Sequence, residues 1–369
     1  MLEVVGKMDR AGQETFLMNV FRNINKDKYD VSFSVNTEYI GAYEEEIKSL
    51  GGKIFHNPYS VNTRNFRKYI KAFRKYIREN GPFDVVHCHV WLFGGFIMWA
   101  AKKENVPIRI MHSHSTGDKY SYSIFRTVYR KISKKLINKY ATQKVACGKD
   151  AYSALFDVSC PNDDLILNNA IDIASFDEKN INLEAYKTEL GLNFENFVIV
   201  SVARFCGVKN HKKIISIFTE IHKRIPEAVL LLVGDGELRK DIINQIENEK
   251  LTDSVKLLGV RNDVNKILLC SDVFLMPSKF EGLPVSLVEA QAAGVICMIS
   301  DKITDEIDMG LELIYKLSIF DSDSKWAENI EKFKNSRKPL FEKRFEHISK
   351  KGYTISGTLK KLDLIYDKK

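Results

Sequence analysis

Short apolar runs alternate with longer amphipathic stretches along nearly the whole chain. Leu2–Val5, Val31–Val35, Asp84–His89, Ile108–Ser113, Lys144–Cys147 and Leu165–Asn168 predict strands, as do Phe197–Ala203, Ala228–Val233, Val255–Leu258, Val273–Met276 and Ile296–Ser300. These runs are continuous rather than alternating, the pattern of strands buried on both faces. Between them apolar residues recur at helical spacing, as in Phe66, Tyr69, Ile70, Phe73 and Ile77, and again in Phe125, Val128, Tyr129, Ile132 and Leu136. Such βα alternation predicts parallel sheets with helices on both faces. Ten or more strands over 369 residues fit two sheets better than one. The Asn-rich segment Leu165–Phe176 (LILNNAIDIASF) suits a hinge between them, and after Lys338 the pattern is helical only.

Composition narrows the class. With 44% hydrophobic and 28% charged residues the chain is that of an ordinary soluble globular protein, not a collagen-like, disordered or disulfide-stapled one. Its longest apolar run, Val90–Ala101, is ended by Lys102-Lys103 and falls short of the ~20 residues that span a bilayer. No basic segment precedes an apolar one at the start, and the six cysteines are scattered without a C-x-x-C. An export leader is therefore not expected, and reduced thiols in the cytosol are. The net charge of +8 is uneven: residues 1–165 carry 26 Lys+Arg against 17 Asp+Glu, the remainder 30 against 31. An anionic surface or ligand facing the first half would explain that imbalance.

Three segments could carry chemistry. Met8–Glu14 (MDRAGQE) joins a strand to a helix, and Gly12 at the helix start would let backbone N–H groups face an anion, though a plain turn reads the same way. In Ser201–Lys213 (SVARFCGVKNHKK), Arg204 leaves a strand's C-terminal end and Lys209 follows at a helix start. Ligands of open parallel sheets bind beyond such strand ends, where an Arg fork and a Lys point charge can clamp a diphosphate; a solvated basic loop is the alternative. In Ser278–Gly294 (SKFEGLPVSLVEAQAAG), Glu281 precedes a turn and Glu289 lies eight residues on, inside a helix whose first amides, at Val285 and Ser286, suit phosphate. Two surface glutamates are the alternative there.

The E-x7-E spacing in EGLPVSLVEA, preceded by DVFLMPSKF, resembles the signature of family 4 retaining glycosyltransferases with the GT-B fold. MDRAGQE, DVVHCH, RIMHSHS, LNNAID, ARFCGVKNH, LLVGDGELR and LLGVRNDV resemble further family segments in the same order, over essentially the whole chain. The resemblance is nearest to bacterial enzymes of exopolysaccharide and capsule assembly. It implies an α/β architecture of two Rossmann-like domains facing across a cleft: 1–165 on the acceptor side, with a final helix within 345–369 crossing back to it, and 166–344 holding the donor. It implies that Arg204 and Lys209 neutralise the donor diphosphate, Glu281 binds sugar hydroxyls and Glu289 the ribose. Backbone at Val260-Arg261 would lie by the base, and backbone at Leu283, Val285 and Ser286 by sugar and phosphate. His114 would reach the donor sugar, and Gly12 would lie near the phosphates. The implied reaction moves a sugar from a nucleotide donor, a UDP-sugar, to a glycan or lipid-linked glycan with retention. The sequence departs from the family pattern at Ala11, at Ala170 in the hinge, at Ile296, and in the brevity of its first strand.

Other readings were weighed. The only D-x-D, Asp321–Asp323, is late and isolated and reads as a turn or helix cap. His87, His89, His112 and His114 form two His-x-His pairs that neighbouring strand ends could offer to zinc. The chain shows no evident partner to orient those rings and the resemblance explains His114 without metal, so no metal or other cofactor is expected. Arg64, Arg67, Lys68, Lys71, Arg74, Lys75 and Arg78 accompany one apolar stripe, and Arg126, Arg130, Lys131, Lys134, Lys135 and Lys139 the other. With the acceptor half alone basic, the expectation is peripheral contact with an anionic membrane at the inner face of the plasma membrane, and not with nucleic acid. A catalytically silent partner subunit is the alternative function. A nicotinamide oxidoreductase is excluded, since Gly234-Asp235-Gly236 lacks the third glycine of the dinucleotide fingerprint.

Overall fold

Among the described residues, twelve strands assemble into two six-stranded sheets in which every pairing is parallel. The structure, a computed structural model, describes all residues except 11, 60, 62–64, 116, 118–122, 282 and 368–369. Ala11 and Arg64, named above, and Gly282, within the segment EGLPVSLVEA, lie outside the described residues. The first sheet comprises β1 (Leu2–Val5), β2 (Ser32–Val35), β3 (Lys53–His56), β4 (Val85–Cys88), β5 (Ile108–Ser113) and β6 (Gln143–Ala146), in the order β3-β2-β1-β4-β5-β6. The second comprises β7 (Phe197–Val202), β8 (Ala228–Val233), β9 (Val255–Gly259), β10 (Val273–Met276), β11 (Ile296–Ser300) and β12 (Ile314–Leu317), in the order β12-β11-β10-β7-β8-β9. Read from β7 outwards, the second order repeats the first. Both are doubly wound Rossmann sheets.

The central strands follow the apolar runs because both of their faces are covered. β1, β4, β8 and β10 are buried at every position. Burial of a single Leu or Ile there stabilises by ~1.5–3 kcal/mol. Short as it is, β1 pairs along one side with β2 and along the other with β4. Two strands outside the expected set, β3 and β12, each form one edge of a sheet, and their half-exposed sequences KIFH and IYKL lack a continuous apolar run. The expected strand Leu165–Asn168 does not form. A 3-10 turn, Asp163–Leu165, occupies its start, and one isolated bridge joins Ile166 to Ala146.

The chain divides into two units, Met1–Ala170 with Gly352–Lys369, and Ile171–Lys351. The first division falls five residues beyond the expected 165, because Leu167 donates its N–H to Ala146 O (2.8 Å) and packs in the first unit's core, and Ala170 O accepts from Asn19 (3.2 Å). The tail also divides later than the expected 345. Helix Phe341–Lys350 stays with the second unit, where the fully buried Arg344 bonds to Ala292 O and pairs with Glu178. Helix Ile355–Tyr366 belongs to the first unit, with Leu362, Ile365 and Tyr366 packed in the core that holds Val5 and Phe16. No helix of the described residues is long and apolar enough to cross a membrane.

Candidate functional site

In the second unit the chain leaves β7 towards β8 on one side, while β10 pairs on the other. This reversal is the switch point at which parallel sheets bind ligands, beyond the strands' C-terminal ends. The loop after β7 carries Arg204 and Lys209, and the loop after β10 carries Glu281. Lys209 Nζ donates to both carboxylate oxygens of Glu281 (2.7 and 2.8 Å), with side chains 22% and 9% exposed. The loops are laced to each other, since Lys279 N donates to Val208 O (2.9 Å) and Asn210 Nδ2 to Pro277 O (3.1 Å). Asn210, with φ of 59°, starts the helix His211–Arg224. Beneath Lys209, the buried His211 packs edge-on to Phe205, and burial, then the Lys209 charge, lowers its pKa to about 4. Gly234 has φ of +133°, and a Cβ there would lie 2.1 Å from Ala203 O. The glycines of Gly234-Asp235-Gly236 thus serve close packing against the Arg204 loop.

The other expected residues of this unit differ in what they engage. Arg204 is 74% exposed and pairs with Glu237 (3.2 Å), not with the Lys209–Glu281 pair. Glu289 lies one turn inside helix Val285–Ala292 and is partly buried. Its carboxyl, with no hydrogen-bond or ion-pair partner among the described residues, is pushed up to about 7 by burial. Pro284 precedes this helix, so the amides of Val285 and Ser286 are first-turn donors without an intrahelical acceptor. Leu283 is half-buried in the turn before them. Val260, past β9, is exposed, whereas the Arg261 guanidinium is committed to Asp263 (2.8 and 2.6 Å), which also accepts from Tyr186 (2.7 Å). Only the backbone of that segment is therefore open to a ligand. The D-x-D is engaged internally: Asp323 begins a helix capped by Ser322 and pairs with Lys213 (2.9 Å), and Asp321 pairs with Lys325 (2.8 Å).

In the first unit the histidines lie on the matching strands. Glu3 of β1 is in register with His87 of β4, and His87 with Ile110 of β5. Because residues two apart share a face, Glu3, His87, His89, His112 and His114 all project to one side. His89 Nε2 lies 2.8 Å from Glu3 Oε2, and His89 Nδ1 lies 2.8 Å from His114 Nε2. His87 Nδ1 is 3.0 Å from the Tyr366 hydroxyl, and His87 Nε2 is 3.2 Å from His112 Nδ1. Burial alone would raise the Glu3 pKa, but His87 and His89 hold it far below the carboxylate range. Burial, then the His87 charge, lowers His89 to about 4; His112 and His114 are lowered well by burial and their neighbours. His114 is thus tied into this network. Gly12 starts helix Gly12–Asn23, with open space where a Cβ would stand. Glu237, Asp263, Tyr186, Glu3 and Tyr366 escaped the sequence reading. Of these only Glu3 carries a signal, a lone carboxylate inside an apolar strand.

Comparison with known proteins matches each half of the chain to a glycosyltransferase family. Residues 10–173 match the family described as Glycosyltransferase Family 4, and residues 183–351 the family Glycosyl transferases group 1. The chain is 36% identical over 368 residues to a protein named as a glycosyltransferase, EpsF of Bacillus subtilis (strain 168), covering 99% of this chain and 96% of that one. It is 26% identical to the capsular polysaccharide biosynthesis glycosyltransferase CapH of Staphylococcus aureus over 92% of each chain. Among solved structures, HepE of Anabaena in complex with UDP-glucose superposes with a TM-score of 0.76 over 98% of each chain at 15% identity, which shows the shared fold. With two such sheets, and with kinship running through nearly its whole length, the chain belongs to the family 4-type glycosyltransferases of the GT-B fold.

Proposed function

We propose that this glycosyltransferase moves a sugar from a UDP-sugar to a hydroxyl of a lipid-linked glycan, with retention and with no metal at the diphosphate, in the assembly of a cell-surface polysaccharide. The Lys209–Glu281 pair at the β7/β10 switch point carries the reading. Lysine has three donors and Glu281 takes two, so Lys209 can hold Glu281 and still reach a phosphate oxygen. Sugar hydroxyls would donate to Glu281, and ribose hydroxyls to the unpartnered Glu289. As the diphosphate departs, its growing charge would meet Lys209, Arg204 and the Val285 and Ser286 amides, and stabilisation of this kind is the largest lever available to such a site. A departing oxygen would take the acceptor's proton, so no separate base is assigned. Relatives support the substrate class: one at 30% identity over 231 residues is an Escherichia coli UDP-Gal:alpha-D-GlcNAc-diphosphoundecaprenol alpha-1,3-galactosyltransferase.

The acceptor's lipid bears on the two basic helices. Phe66–Asn80 buries its stripe of Tyr69, Ile70, Phe73 and Ile77 in the core, which leaves Arg67, Lys71 and Lys75 on a solvated face. Ile124–Tyr140 instead exposes Ile124 (80%), Phe125 (85%), Val128 and Ile132, beside the exposed Lys131 and Lys135. An exposed apolar stripe edged by lysines suits the headgroup boundary of an anionic membrane. This second helix, rather than the first, is the proposed contact.

A thermal-shift panel of nucleotides and nucleotide sugars, followed by transfer from the selected donor to an undecaprenyl-diphosphate glycan, tests the reading. Selective stabilisation by UDP-sugars and transfer with retention are expected. Stabilisation by another base overturns the donor assignment, and donor binding without transfer or hydrolysis favours a silent subunit.

A further inference from the structure

We propose that the first unit holds a structural divalent metal ion of the zinc class, bound by His87, His89 and His112. The sequence left these rings without orienting partners, and the fold supplies them. Glu3 Oε2 takes the outer nitrogen of His89 (2.8 Å), and the Tyr366 hydroxyl (3.0 Å) with Glu3 Oε1 (3.5 Å) takes that of His87. Orientation of the outer nitrogen by a carboxylate is the arrangement that aims the other nitrogen of a histidine at a metal. It turns His89 Nδ1 and His87 Nε2 towards the remaining rings. One nitrogen from each of His87, His89 and His112 lies within 4.8 Å of the others, and all three side chains are buried. The separation of His87 Nε2 from His112 Nδ1, 3.2 Å, is close to the edge of about 3.3 Å in a tetrahedron with zinc–nitrogen bonds of ~2.0–2.1 Å. His114 borders this set of three, its Nε2 2.8 Å from His89 Nδ1.

Without an ion, the rings pair with one another through one proton per contact, His87 Nε2 with His112 Nδ1 and His89 Nδ1 with His114 Nε2. Among the described residues, each chain of contacts starting at Glu3 ends on a buried outer nitrogen without a partner, His112 Nε2 on one arm and His114 Nδ1 on the other. Phe16 lies against the rings of His112 (5.5 Å) and His114 (5.9 Å), so the cluster is roofed by hydrocarbon. A site enclosed in this way is structural rather than catalytic. It would pin β1, β4 and β5 together and, through Tyr366, anchor the helix Ile355–Tyr366. It uses none of the residues proposed to act at the diphosphate.

Cobalt gives a readout that does not depend on activity. The full chain, stripped with a chelator, is titrated with Co2+. The expected result is a set of tetrahedral visible bands saturating at one equivalent, bleached by Zn2+, with a thermal midpoint that rises on adding Zn2+. His112→Ala should abolish the bands. Glu3→Gln keeps the three rings and should weaken Zn2+ binding by roughly 10–100-fold, and it decides the matter if His112→Ala does not fold. Absence of bands at one equivalent overturns the proposal. So do bands that persist unchanged in the folded variants, or a thiolate charge-transfer band that assigns the ion to cysteine.

Discussion

The two sheets share one strand order and put different things at the same point of it. At the switch point of the second unit the charged groups sit in loops past the strand ends: Arg204 and Lys209 after β7, Glu281 after β10. At that of the first unit, Glu3, His87 and His112 sit within the strands, buried beneath a helix and turned towards one another. The difference teaches what topology leaves open. It supplies a crevice, and the placement of polar residues a few positions along the chain decides whether they meet solvent and ligand or only each other. Groups of the first kind should govern binding and turnover, and groups of the second kind stability.

The largest test of that division is Lys209→Ala. It removes a cation from the diphosphate and strips Glu281 of its partner, so kcat/KM should fall by roughly 10³, in line with losing one transition-state donor. A loss under tenfold in steady-state kinetics would break the comparison at its centre. Next comes Arg204→Ala. Arg204 has only a surface pairing with Glu237, and such pairs contribute little to stability. Turnover should drop by about 10², while the thermal midpoint stays in place. A shifted midpoint with normal turnover would move Arg204 into the structural class.

How much of this was legible depended on where a residue's partners lie in the chain. Central strands such as β8 and β10 announce themselves because burial on both faces demands an unbroken apolar run. The edge strands β3 and β12 do not, since polar residues at half-exposed positions interrupt KIFH and IYKL. Lys209, Glu281 and Glu289 could be found because short segments carry them at fixed spacing. Glu237 and Asp263 could not be assigned to Arg204 and Arg261 without the fold, and Tyr366 reaches His87 from 279 residues away. The helices Phe66–Asn80 and Ile124–Tyr140 show the same limit: their apolar periodicity is alike, and only tertiary packing tells that one stripe is covered and the other bare.

A smaller effect, about tenfold, is expected from Glu289. Ribose hydroxyls donate to its ionised form, and burial holds its pKa at about 7. Affinity for a UDP-sugar, whose diphosphate diester does not titrate in this range, should therefore rise with pH through about 7 and level off above it. At pH 6 it should be about a tenth of the plateau value. Stability should run the other way. The folded carboxyl holds its proton above the ordinary 4.5, so folding is favoured most below that value and loses stability as pH rises towards about 7. Glu289→Gln should flatten both profiles and bind weakly at every pH. Calorimetric titrations at pH 6 and 8 check the first profile, and denaturant melts the second. A wild-type affinity that is flat between these pH values would place Glu289 away from the ribose.

The smallest expected effect belongs to the first unit and should show only in stability. Tyr366→Phe removes one hydroxyl, 3.0 Å from His87 Nδ1 and 3.5 Å from Glu3 Oε1, and leaves the ring packed between Tyr29 and the core. Loss of one buried hydrogen bond beside a carboxylate costs about 1–3 kcal/mol. For a unit of this size that should lower the thermal midpoint by roughly 2–4 °C per kcal/mol. UDP-sugar affinity should stay within twofold of wild type, since the hydroxyl bonds to His87 and Glu3 and to none of the residues proposed to hold the donor. A matching loss of affinity would mean that the buried network acts on the ligand site, and the separation drawn between the two switch points would fail.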